Sequence, residues 1–206
     1  MSVGCGPCTE LAAVDYLRNE GVLNYDQLDY RGIDPLGDVW KRIWTDIKTY
    51  FGDGIQFYPN DILQLVDIIV KHSWVPDVLI FQYVFSDMYK HSNEEEIIQF
   101  INKLAGFLNL YDEKPIYILC NDINLSKSMG GGREFFDILE SKVENPKIVR
   151  KMHFDNINRD RHYEYGDQYN SNALVFNNIT DDIRNAYNPF ESCASAQILI
   201  KKERSD

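Results

Sequence analysis

The segment Gly4-Cys5-Gly6-Pro7-Cys8 stands between a short apolar stub and the start of a helical pattern. Glycines suit such a turn because a side chain there would block both the bend and the approach of the backbone to a ligand. Asp34 closes the next apolar run. A carboxylate at that place can meet a ribose hydroxyl pair, since it accepts both O–H bonds at once; before Pro35 it equally suits a solvated turn. Asn60 and Asp61 follow the third run, where an amide and a carboxylate can face an adenine edge or simply cap a helix. Gln82, Tyr83 and Ser86 follow the fourth and most apolar run. All these residues fall at the carboxyl ends of successive strands, the edge at which open α/β sheets bind ligands. Turn chemistry alone seldom produces such a series in order.

The elements that must carry these residues alternate between short β-rich runs and longer helical ones, the pattern of βα units around a parallel sheet. Ser2 to Val3 is a strand stub, Cys8 to Asn19 a helix closed by Gly21, and Leu28 to Ile33 a second strand. Gly37 to Phe51 places Val39, Trp40, Ile43, Trp44 and Ile47 at helical spacing. Ile55 to Tyr58 predicts a third strand, followed by an apolar helix ending near Lys71. The run from Asp77 to Phe85 predicts a central strand covered on both faces. Glu94 to Leu108 reads as a helix and Pro115 to Cys120 as a strand. Arg133 to Lys142 reads as a helix entered through the mobile loop Gly130-Gly131-Gly132. Two late strands are expected, around Ile148 to Phe154 and at Ala196 to Lys201. The polar, aromatic stretch between them, residues 155–195, reads as a surface insertion or lid with one strand at Ala173 to Asn177.

The chain of 206 residues is expected to form one domain, and its 44% hydrophobic and 26% charged residues are those of a globular protein. A formal net charge of −11 disfavours a nucleic-acid partner. The local excess of Lys147, Arg150, Lys151, Arg159 and Arg161 is the exception, read either as a solvated surface or as a patch for an anionic substrate. No apolar run is long enough to span a membrane, so no membrane partner is expected, and the four cysteines do not form a disulfide framework. A cytoplasmic location is expected. His72, His91, His153 and His162 lack metal-ligand spacing, so no metal is expected.

The segments SVGCGPCTEL, YRGIDPL, FYPNDIL, DVLIFQYVFSDM and SAQILIKK, which together span nearly the whole chain, resemble the successive motifs of class I, Rossmann-type methyltransferases that use S-adenosyl-L-methionine (SAM). The resemblance implies a doubly wound sheet of seven strands, mostly parallel, with an antiparallel last strand at Ala196 to Lys201. It implies SAM as cofactor, with Gly4, Cys5 and Gly6 near its amino-acid part, Asp34 on the ribose, Asn60 and Asp61 flanking adenine, and Gln82 and Tyr83 facing cofactor and substrate. The activity implied is methyl transfer to an unidentified acceptor, a small molecule being favoured. No dedicated catalytic residue is assigned, because orientation can supply much of the rate; for a hydroxyl acceptor, Tyr83, Asp87 and His91 are candidate bases. The sequence departs from the family in having Ser2 where an acidic residue is usual and Cys8 where a third glycine is usual. The resemblance also implies a chain truncated at its N-terminus, because so little strand precedes the glycine turn.

Two other readings use the same residues. Cys5-Gly6-Pro7-Cys8 is also the redox tetrapeptide of thioredoxin-like proteins, which place a strand ahead of the motif where this sequence has only Met1 to Gly4. A SAM-fold protein without activity, serving as a binding subunit, is the third.

Overall fold

The computed structural model describes residues 1–155, 164–170 and 195–204. Its sheet has eight strands: β1 (Ser2–Val3), β2 (Tyr30–Ile33), β3 (Ile55–Tyr58), β4 (Val78–Gln82), β5 (Ile116–Ile123), β6 (Pro146–Asp155), β7 (Asp167–Asn170) and β8 (Ser195–Lys202), in the order β3-β2-β1-β4-β5-β8-β6-β7. Strand β8 runs antiparallel to both β5 and β6, while all other neighbours are parallel. The expected α/β architecture with a reversed late strand is thus present. The two-residue stub β1 takes a central place, paired with Gly32 and Ile33 on one side and with Ile80 and Phe81 on the other.

The helices are α1 (Thr9–Asn19), α2 (Gly37–Phe51), α3 (Leu65–His72), α4 (Val84–His91), α5 (Glu94–Asn109) and α6 (Glu134–Lys142). Helices α3 to α6 supply one face of the sheet with its main core, in which Val3, Leu79, Phe81, Ile118 and Ile198 are fully buried. Helix α5 starts on a capping box between Asn93 and Glu96 and buries Ile97, Phe100, Ile101, Leu104 and Leu108, the helical stripe that its spacing dictates. Each such side chain stabilises the fold by about 1.5–3 kcal/mol. A smaller core of Cys5, Cys8, Leu11, Tyr30, Trp44 and Ile55 joins α1 and α2 to the other face over β1 to β3. Beyond β1, the alternate residues on that second face, Ile80, Gln82, Leu119, Asn121, Gln197 and Leu199, are half-buried.

Three expectations are corrected. The apolar run to Phe85 is not one strand: β4 stops at Gln82, Tyr83 turns through φ 59°, and Val84 opens α4. A short apolar run does not distinguish a buried strand from the buried first turn of a helix, and here Val84, Phe85 and Met88 are buried at helical spacing. The glycine triplet is not a loose loop, since Gly131 and Gly132 are buried. A Cβ on Gly131 would collide with the Leu125 carbonyl, and one on Gly132 with the Ser86 amide and, at 2.6 Å, with Asp122 Oδ2. Part of the expected insertion is an eighth strand, β7, paired with Met152–Asp155. The expected strand at Ala173 to Asn177 lies outside the described residues.

Candidate functional site

A cleft of about 730 Å³ opens at the carboxyl edge of the sheet and is lined by Gly4, Asp34, Asp61, Gln82 and Tyr83 among the predicted residues. Cys5, Gly6 and Asn60 do not line it. The cleft exists because four consecutive strand-to-helix turns meet there. Gly4 continues β1, its amide donating to the Ile33 carbonyl at 2.8 Å. It holds φ 62° with its missing side chain aimed at Val84, whose Cγ2 would lie 2.7 Å from a Cβ. A Cβ there would have to displace the Val84 side chain, and the backbone conformation is one that a side chain strains.

Gly6 faces into the protein. Its amide donates to Asp34 Oδ2 at 2.8 Å, and its carbonyl accepts from Trp44 Nε1 at 2.9 Å and from the Cys8 thiol at 3.6 Å. Asp34 Oδ1 accepts the Leu36 amide at 2.8 Å. The buried Asp34 carboxylate therefore fastens the glycine turn to the end of β2. Two of its four acceptor positions are used and the others remain for a ligand. Asp61 caps a one-turn 3₁₀ helix, Ile62–Gln64, with Oδ1 accepting the Leu63 amide at 2.9 Å. Tyr83 donates its amide to the Asn121 carbonyl at 2.7 Å and is substantially exposed.

The cleft continues along α4, where Ser86, Asp87 and His91 line it. Asp87 Oδ1 and His91 Nε2 stand 3.8 Å apart, both exposed. The start of α4 is fixed by a residue that sequence reasoning missed. Asp122, fully buried in β5, accepts the Ser86 amide at 2.9 Å on Oδ2 and the Ile123 amide at 2.7 Å on Oδ1. Burial pushes its carboxyl above the ordinary carboxylate range, with those hydrogen bonds opposing the rise. The only signal in the sequence is an aspartate two residues beyond the apolar stretch of a central strand.

Cys5 and Cys8 are both buried free thiols. Cys8 holds φ 60°, ψ 44°, the left-handed conformation a third glycine would adopt freely. The hydrogen bond with Cys8, and then burial, push the Cys5 thiol up, whereas a redox cysteine requires the opposite shift. No group of His, Cys, Asp or Glu able to hold a metal exists among the described residues, and among them no helix is long and apolar enough to cross a membrane. His153 is a buried packing residue whose Nδ1 lies 3.1 Å from both the amide nitrogen and the carbonyl oxygen of Tyr165, accepting from the one or donating to the other according to its tautomer; His162 lies outside the described residues.

No protein-family profile matches the chain, and no curated protein matches it in sequence. Solved structures do match its shape. N-methyltransferase NodS from Bradyrhizobium japonicum WM9, solved with S-adenosyl-L-homocysteine (SAH), is similar at TM-score 0.51 and 12% identity, over 98% of this chain and 76% of NodS. The YcgJ protein from Bacillus subtilis is similar at TM-score 0.50 and 11% identity, over 100% of this chain and 91% of that one. StiE O-MT is similar at TM-score 0.52 and 13% identity, over 100% of this chain and 68% of that one. The chain has the Rossmann-like fold of the class I SAM-dependent methyltransferases, the fold its motifs implied.

Proposed function

We propose that this protein binds SAM in the cleft at the carboxyl edge and transfers its methyl group to a small acceptor. The observation that carries the reading is that Gly4, Asp34, Asp61, Gln82 and Tyr83, drawn from the ends of four successive strands and the turns after them, line one cleft. The residues fit the cofactor: the turn at Gly4 holds a positive φ with Val84 close against it, which disfavours a side chain, and the Asp34 carboxylate keeps free acceptor positions beside it. NodS, which shares the fold, was solved with SAH. SAM bound there would supply a sulfonium-activated methyl group for transfer to a nucleophile. Asp34 would accept the ribose hydroxyls, Asp61 would flank the adenine, and Gln82 with Tyr83 would face the cofactor and the acceptor.

The formal net charge of −11 favours a small acceptor over a polyanion. The described cysteines are all free thiols, which suits the reducing cytoplasm. Calorimetric titration of the full-length protein with SAM and SAH tests the reading, and failure of both to bind would end it. The departures at Ser2 and Cys8 favour a second reading, a binding protein without turnover. Label transfer from radiolabelled SAM into a metabolite extract separates that from an enzyme.

A further inference from the structure

A second groove, of about 280 Å³, opens on the other face of the sheet beside α1. Gln82 lines both this groove and the cleft, so the two adjoin at the end of β4. Gln82 pairs in register with Asn121, and Asn121 with Gln197. All of these line the groove, so a row of carboxamides runs across β4, β5 and β8. Ile80 and Leu119, one step back along the strands, line it as an apolar floor, and Thr9, Glu10 and Ala13 of α1 form its wall.

The needs of the fold do not explain this row. Half-buried strand positions favour β-branched and aromatic side chains, and Asn is depleted there. Asn121 Oδ1 is shielded from solvent and has no hydrogen-bond partner, a condition that folded proteins rarely leave uncompensated. Glu10 Oε1 is already engaged by the Tyr30 hydroxyl at 2.6 Å. No lysine or arginine is among the lining residues, so nothing there recruits an anion. Apart from the Glu10 carboxylate on its wall, the groove offers carboxamide N–H donors beside C=O acceptors above an apolar floor.

We propose that this groove binds a small uncharged ring compound carrying a hydrogen-bond donor next to an acceptor on one edge, and that this compound is the methyl acceptor; the second half rests on the methyltransferase reading. A carboxamide matches such an edge with two parallel hydrogen bonds, as Asn and Gln do with adenine. The volume suits a single ring, being just below the range of pockets for drug-sized ligands. Through Gln82 a ring seated here borders the cleft in which the methyl group would lie.

The test titrates full-length, ¹⁵N-labelled protein with nicotinamide and with cytosine, benzoate serving as the anionic control. It follows the side-chain NH₂ signals of Gln82, Asn121 and Gln197, assigned through Asn121→Leu and Gln197→Leu. Saturable shifts of these signals are expected with nicotinamide or cytosine and not with benzoate, and each variant should weaken binding at least tenfold. Two variants are used so that misfolding of one leaves the other informative. Absence of saturable shifts with both neutral rings, equal shifts with benzoate, or unchanged affinity in the folded variants overturns the proposal. SAH is titrated separately, read at the Gly4 and Tyr83 amides. If SAH binds and the rings do not, the groove proposal alone falls. If the rings bind and SAH does not, the site stands and its role as acceptor site is refuted.

Discussion

Replacing Asp34 by alanine separates the two tasks that the structure gives this side chain. The buried carboxylate accepts the Gly6 amide at 2.8 Å and the Leu36 amide at 2.8 Å. In Asp34→Ala the Gly6 N–H is left buried without an acceptor, at about 1–3 kcal/mol, whereas the partly buried Leu36 N–H can turn to water at smaller cost. A loss of about 2–3 kcal/mol of stability is therefore expected, against the roughly 5–15 kcal/mol of an ordinary domain, so the variant should fold. The lost pair of ribose contacts should cost a further 1.5–3 kcal/mol of SAM affinity, roughly a 10- to 150-fold rise in Kd. Asp34→Asn keeps one acceptor oxygen but turns an NH₂ toward the other amide, so it should fall between the parent and alanine on both scales. Urea unfolding gives the first quantity and calorimetric titration with SAH the second. If the folded alanine variant loses stability yet binds SAH as the parent does, Asp34 only fastens the turn and the ribose assignment is wrong. If neither changes, the geometry around Gly6 is wrong as well.

Gly132→Ala should lower stability by about 2–4 kcal/mol, because a Cβ there collides with the Ser86 amide and Asp122 Oδ2; an unchanged urea midpoint would refute the packing. Cys5 and Cys8 should resist iodoacetamide until the protein is unfolded, and Cys5→Ser/Cys8→Ala should bind SAH within a few fold of the parent. Reduction of insulin disulfides by the parent but not by this double variant would instead establish a redox pair. Asp122 keeps its proton in the folded state at pH values where the unfolded chain has lost it, so its contribution to stability falls as pH rises from its unfolded value of 3.8 through its raised folded value. The stability gap between the parent and Asp122→Asn, measured by urea unfolding at stepped pH, should therefore shift against the parent as pH climbs from about 4 to 7, and a constant gap would contradict the raised value.

The parts of this fold legible in the sequence are those whose signal is local. The apolar spacing from Gly37 to Phe51 and the short run Ile55–Tyr58 coincide with α2 and β3, because one periodic stripe or one buried run between turn residues suffices to specify each. Gly4, Asp34, Asp61, Gln82 and Tyr83, marked in the sequence by their position after successive strands, line one cleft. The boundary at Tyr83 was not legible, since α4 begins where Asp122 accepts the Ser86 amide, a contact across 36 residues of chain. The glycine triplet was misread for the same reason. Gly131 and Gly132 answer to Leu125, Ser86 and Asp122, and only Gly130, at φ 83° with open space beside it, answers to the local turn.

The limit is sharpest on the second face of the sheet. Read one at a time, Asn121 and Gln197 are ordinary polar residues on strands and would be assigned to solvated positions, while Gln82 stands out only by its place at the end of the fourth strand. Their meaning depends on β8 lying between β5 and β6 rather than beyond them, which sequence order does not reveal, and on a register that sets Gln197 opposite Asn121. A slip of one residue would turn Gln197 into the core and bring Ile198 to the groove. The burial of Ile198 and Ile200 against the main core fixes that register. The same apolar residues that stabilise β8 thereby place an amide at the end of the row, beside the unpartnered oxygen of Asn121. A polar arrangement suited to binding is thus a consequence of how the apolar face packs, and it becomes visible only when both faces of the strand are considered together.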